Sequence, residues 1–148
     1  LDLSQGFGVR VPRVQGLELV KPPYGRITAI DMNSGEHLWM IANADTPDRL
    51  KNHPLLKGVD LPRTGIPTRA GIVLTKSLLF VAEGTGAVGA SPIFRAVDKQ
   101  TGDILAEINF PANQTGLPFT YAHNGKQYVA MFVGGGGEPA ELIALALP

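Results

Sequence analysis

Ala29-Ile30-Asp31-Met32-Asn33-Ser34-Gly35-Glu36-His37-Leu38-Trp39 returns sixty-seven residues later as Ala96-Val97-Asp98-Lys99-Gln100-Thr101-Gly102-Asp103-Ile104-Leu105-Ala106. The Ala-x-Asp spacing and the Asp-to-Gly spacing are the same in both copies, which coincidence does not preserve. A repeat of this size marks a stack of similar supersecondary units, none able to bury its apolar face alone. Each copy reads as strand, turn, strand. The apolar, β-branched runs Arg26-Ile27-Thr28-Ala29-Ile30 and Pro92-Ile93-Phe94-Arg95-Ala96-Val97 precede the turn, and a second apolar run follows it. Between them, Asp and Ser or Thr offer side-chain oxygens to nearby backbone N–H groups, and Gly accepts a positive φ.

Further strands are expected over Gly71–Thr75, Leu78–Ala82, Pro92–Asp98 and Asp103–Phe110, and then over Pro118–Ala122, Lys126–Val133 and Glu141–Leu147. A hairpin turn at Asn124-Gly125 joins the fifth and sixth of these. Four antiparallel strands in about forty residues is the size of one β-propeller blade. The expected fold class is therefore all-β, a propeller fragment of four-stranded antiparallel blades, about two blades plus a partial one. The end of one blade occupies 1–42, a long loop 43–70, a full blade 71–110 and an incomplete last blade 111–148. The loop carries four Pro between Asn43 and Arg69, and a short helical turn near Pro47–Lys51 is expected to stiffen it. The chain starts at Leu1 without a signal-peptide pattern, and it stops where earlier copies would turn into a fourth strand. The expectation is a missing part upstream and a natural C-terminus, with a strand from the other end of the protein closing the last blade.

Among 148 residues, 44% apolar, thirteen acidic side chains balance thirteen basic ones. Without net charge or a basic run the phosphate-neutralising term is missing, which argues against nucleic-acid partners. No apolar run is long enough to span a bilayer. The absence of Cys excludes disulfides and thiol chemistry, while eighteen Gly and twelve Pro punctuate short strands.

Trp39, the only Trp, is expected to pack against the neighbouring blade, with small Ala29 permitting close approach; Ala106 at the equivalent place weakens or replaces that contact in the second copy. Gly84-Thr85-Gly86-Ala87-Val88-Gly89 fits G-x-G-x-x-G, but a strand rather than a helix follows, so the dinucleotide context fails. The run Gly134 to Gly137 has two readings: a flexible connection, or backbone that approaches a flat ligand or a crowded axis where only Gly fits. His37, His53 and His123 lack ligand-like spacing, and no metal site is expected within this segment. No G-x-S-x-G context accompanies the Ser, His and Asp residues, so no catalytic residue is assigned. Asp31 and Asp98 are turn residues of different blades, and Asn113-Gln114-Thr115 fits the short glycosylation acceptor pattern.

The phrase Gly25–Asp31 through Gly35–Trp39, the block Phe94-Arg95-Ala96-Val97-Asp98 with Thr101-Gly102, and the ending Pro118-Phe119-Thr120-Tyr121 with Asn124-Gly125-Lys126-Gln127-Tyr128-Val129 carry a resemblance. They resemble the last blades of pyrroloquinoline-quinone (PQQ) dependent glucose and alcohol dehydrogenases, eight-bladed propellers. The resemblance implies periplasmic oxidation of a sugar or alcohol, with membrane association through a region upstream as a further implication. It implies hydride transfer to PQQ, an Asp base, a calcium ion that polarises the quinone, and a quinone or cytochrome electron acceptor. The Asp and the calcium ligands would belong to earlier blades. Gly134, Gly135 and Gly136 are the cofactor-binding candidates it carries over, although Gly136 stands where the family often has an aromatic or His residue. The Trp motif, broken at Ala106, marks a divergent branch. The rival expectation is a non-enzymatic propeller scaffold that displays loops to partner proteins. A third is a self-contained propeller closed by oligomerisation.

Overall fold

The computed structural model describes residues 12–84 and 90–146. The chain is built from antiparallel sheets in succession. A small hairpin, β1 (Arg13–Val14) and β2 (Leu17–Glu18), is followed by the first sheet, β3 (Arg26–Ile30) and β4 (His37–Ala42). The second sheet is four-stranded and runs in chain order: β5 (Ile72–Leu74), β6 (Leu78–Ala82), β7 (Ile93–Asp98) and β8 (Ile104–Asn109). The third has β9 (Phe119–His123), β10 (Lys126–Gly135) and β11 (Glu138–Ala146), with β10 central. A four-stranded antiparallel unit in sequence order is the blade that four strands in about forty residues imply.

The repeated phrase folds twice into the same turn. Asp31 Oδ1 accepts from the amides of Asn33 (2.7 Å) and Ser34 (3.1 Å), and Asp98 Oδ1 accepts from Gln100 (2.7 Å) and Thr101 (3.1 Å). Ser34 Oγ and Thr101 Oγ1 each accept from the amide two residues on, at 3.2 Å. Gly35 and Gly102 close the turns at φ +76° and +82°. Both hairpins also carry a register shift at the same place, between Ala29 and Ile30 and between Ala96 and Val97. The sequence repeat is thus a repeat of backbone hydrogen bonding, and local side-chain oxygens determine it.

Trp39 joins the first sheet to the second. Its indole Nε1 donates to the Lys99 carbonyl at 3.0 Å, and a Cβ on Gly102 would lie 2.9 Å from the ring. Below it, Ile27 and Ile41 pack on buried Leu79, Val81 and Val97. The second and third sheets meet through a different device, because Ala106 stands at the Trp position, opposite Ala96. Phe80, Phe94 and Phe110 stack with ring centroids 5.8 and 5.4 Å apart, against a cluster that includes Val129, Met131 and Val133.

Between β4 and β5 the long connection contains α1 (Asp48–Lys51), the expected helical turn, and a 3₁₀ turn at Pro54–Leu56. The β1–β2 hairpin, which no sequence pattern announces, is tied to this connection. Glu18 binds Arg13 (3.1 Å) and Arg49, and His53 Nε2 lies 2.9 Å from the Gln15 carbonyl. Burial pushes the Glu18 carboxyl up, but its hydrogen bonds and the two guanidinium groups outweigh that and hold it below the usual carboxylate range.

Candidate functional site

Antiparallel alternation sorts the connections between strands into two sets. The turns after β3, β5, β7 and β9 lie at one end of the sheets, and the connections after β4, β6, β8 and β10 gather at the other. Hydrogen bonds between those longer connections confirm the grouping. Gly134 N donates to Asn113 O at 3.0 Å, Gly71 N donates to Gln114 Oε1 at 3.3 Å, and Thr68 Oγ1 donates to the Glu83 carbonyl. Gln114, 4% exposed, also donates to Gly116 O at 2.7 Å and so clamps the start of β5 to the β8–β9 connection.

Gly134–Gly137 lie at this end, where β10 turns into β11. Gly134 is buried at φ +151°, and a Cβ there would stand 3.0 Å from Ala140 Cα. Gly135, Gly136 and Gly137 have φ of +87°, +69° and +99°, and a Cβ on any of them would meet nothing within 4 Å. Gly135 pairs with Glu138 across the tip after a register shift. The run is therefore an ordered hairpin turn. Its left-handed backbone selects Gly, and three of its residues leave an open surface that a planar group can approach face-on.

A buried charge network lies below the neighbouring connections. Arg95 on β7, 3% exposed, donates from Nε to Glu107 Oε1 at 2.5 Å and from an Nη to Glu83 Oε1 at 2.7 Å. Glu83, 1% exposed, accepts from the Ser91 amide at 2.7 Å through its other oxygen. Arg63 of the long connection approaches Glu107 to 3.6 Å. Burial alone would lower the Arg95 pKa, but the hydrogen bonds to Glu107 and Glu83 outweigh it and keep the guanidinium firmly charged. Hairpin register brings Arg95 opposite Glu107. No short-range spacing announces Glu83, so the network is not legible in the sequence.

The other candidates fall elsewhere. Residues 85–89 of the G-x-G-x-x-G stretch lie outside the described residues. Gly84 itself is at φ +80°, where a Cβ would stand 2.6 Å from Arg69 O, and the next described element is the strand β7. His37 and His123 are exposed on strands, and His53 Nδ1 accepts from Leu55 N within the loop. Asp31 and Asp98 occupy turns of different sheets. The side-chain oxygen of Asn113 is buried, which does not suit a glycosylation acceptor. Among the described residues no three His, Asp or Glu side chains converge as a metal site.

Residues 7–129 match the family model described as "PQQ: Glucose/ethanol/alcohol dehydrogenase, beta-propeller domain". The chain belongs to the PQQ dehydrogenase β-propeller family. Among its relatives is a quinoprotein glucose dehydrogenase of Gluconobacter oxydans (strain 621H), 30% identical over 149 residues covering 96% of this chain and 17% of the relative. A glycerol dehydrogenase large subunit of the same organism is 35% identical over 127 residues, 81% of this chain and 16% of the relative. Methanol dehydrogenase [cytochrome c] subunit 1 of Methylobacterium organophilum is 47% identical over 45 residues, 30% of this chain and 7% of the relative. The first two alignments thus span about one sixth of those relatives, and the three all-β units are parts of a propeller.

Proposed function

We propose that this chain is the C-terminal part of a PQQ-dependent dehydrogenase that oxidises a sugar or an alcohol and passes electrons to a quinone or cytochrome in the periplasm. The observation that carries this reading is the open glycine hairpin Gly134–Gly137, at the end of the sheets where the long connections gather, in a chain of this family. When bound, PQQ supplies the two-electron acceptor. This segment's residues would do the positioning: Gly134 is held by Asn113 O, and Gly135 and Gly136, which border open space, would offer backbone without side chains to the cofactor. The base and any calcium ligands come from other blades in this reading.

Two surface features support a segment of a larger ring. The third sheet exposes Phe119, Tyr121, Phe132 and Leu142, an apolar face suited to a further blade. Among the described strands β3 pairs only with β4 and β11 only with β10, so each offers a free backbone edge.

The test is reconstitution of the full-length protein with PQQ and calcium, followed by dye reduction with glucose, glycerol and methanol in parallel. PQQ-dependent reduction with at least one is expected. A folded full-length protein that binds no PQQ would point instead to a scaffold propeller. The 148-residue chain alone is expected to reduce no dye under any of these conditions.

A further inference from the structure

Glu83 is bonded by three separate segments. Its carbonyl accepts from Thr68 of the long connection, and its carboxylate accepts from the Ser91 amide, where the β6–β7 connection ends, and from Arg95 on β7. Arg95 extends the same network to Glu107 on β8, which Arg63 of the long connection meets from the other side. Burying a charged pair at 1% and 3% exposure is a poor way to gain stability, since apolar residues of similar volume often do as well or better. What an apolar side chain at 83 cannot do is accept from the Ser91 amide, whereas the Thr68 bond goes to the Glu83 main-chain carbonyl and does not depend on the side chain.

We infer that Arg95 and Glu83 are positioning residues: the Glu83 carboxylate holds the Ser91 end of the β6–β7 connection, and Arg95 steadies both Glu83 and Glu107, the carboxylate that Arg63 of the long connection meets, at the end of the second sheet where the glycine hairpin opens. The step from these connections to cofactor affinity rests on the proposed PQQ function; the positioning itself does not. Removal of the Arg95 charge leaves two carboxylates facing each other, and these repel the segments they anchor. Removal of both members of the buried pair relieves the burden on the core but leaves Ser91 without its acceptor.

The experiment uses the full-length protein with Arg95→Met, the double variant Arg95→Met/Glu83→Leu, and the milder Arg63→Gln. Thermal unfolding, hydrogen exchange of peptides spanning 63–70 and 90–95 without cofactor, and PQQ titration are read for each. Arg95→Met is expected to lower Tm and speed exchange in both peptides. The double variant is expected to regain Tm while exchange in 90–95 stays about tenfold or more faster than in the parent and PQQ affinity stays weakened. Arg63→Gln, which changes a partly exposed side chain, is expected to speed exchange only in 63–70 with Tm unchanged. Recovery of Tm, exchange and affinity together in the double variant would overturn the inference, as would unchanged exchange in Arg63→Gln. Fast exchange with unaltered PQQ affinity would overturn the step from connections to cofactor. A parent protein that binds no PQQ would sink the functional reading alone, because the exchange measurement is made without it.

Discussion

Gly102 and Gly35 hold one position in two copies of one turn, yet they do not face the same neighbours. Both need the left-handed backbone, so alanine at either costs about 1–3 kcal/mol in strain. A Cβ at Gly35 enters open space, whereas at Gly102 it runs into the Trp39 indole at 2.9 Å. Gly102→Ala is therefore expected to lose about 1–3 kcal/mol more than Gly35→Ala, through displacement of the ring. Urea denaturation of the two variants in the full-length protein checks this, and equal losses would mean that the indole moves aside freely. Asp31 yields a pH prediction at the same scale. The amides of Ser34 and Asn33 hold its carboxyl below the ordinary value of 3.8. A folded pKa below the unfolded one stabilises the protein above the unfolded value, and that contribution disappears as pH falls through the folded one. The stability gap between the parent and Asp31→Ala should accordingly narrow below pH 3.8 in acid titrations of both.

At the scale of single elements, legibility in the sequence follows how local the determining contacts are. The Asp31 and Asp98 turns and the Asn124-Gly125 hairpin were readable because side-chain oxygens and positive-φ residues act within a few positions. Strand bounds fell within a few residues for the same reason. The β1–β2 hairpin was not readable, since two-residue strands carry no periodicity and this one is tied to α1 through Glu18 and Arg49. The glycine run was half readable: its composition allowed a loose linker or a ligand-facing backbone, and only pairing across Gly135 and Glu138 shows a defined turn. That turn separates conformational from steric effects. Gly136→Ala strains a backbone at φ +69°, while Asn tolerates the left-handed region better. If the tip faces the cofactor, Gly136→Asn should keep the fold yet weaken PQQ binding through bulk alone. Unchanged affinity in a PQQ titration of Gly136→Asn would remove Gly136 from the cofactor face.

For the whole molecule, the stacking of sheets was implied by the repeat, but the means of stacking changes from one interface to the next. Trp39 announced the first contact through its place in the repeated phrase. Ala106 announced only that the second contact had to differ, and nothing local indicated that Phe80, Phe94 and Phe110, spread over thirty residues and three parts of the chain, would supply it. Phe94 is the centre of that stack and is 2% exposed, with rings on both sides. Phe94→Ala is expected to cost about 3–5 kcal/mol, because the cavity opens between two sheets that have no indole to bridge them. Phe132 lies on the other face of the third sheet, 49% exposed, and serves as the control. In the isolated 148-residue chain, if it folds, Phe132→Ala should shift stability by less than about 1 kcal/mol. In the full-length protein the same substitution should cost substantially more if another blade covers that face. Measuring Phe132→Ala by urea denaturation in both lengths thus tests the ring directly: an equal, small effect in both would mean that no blade packs there.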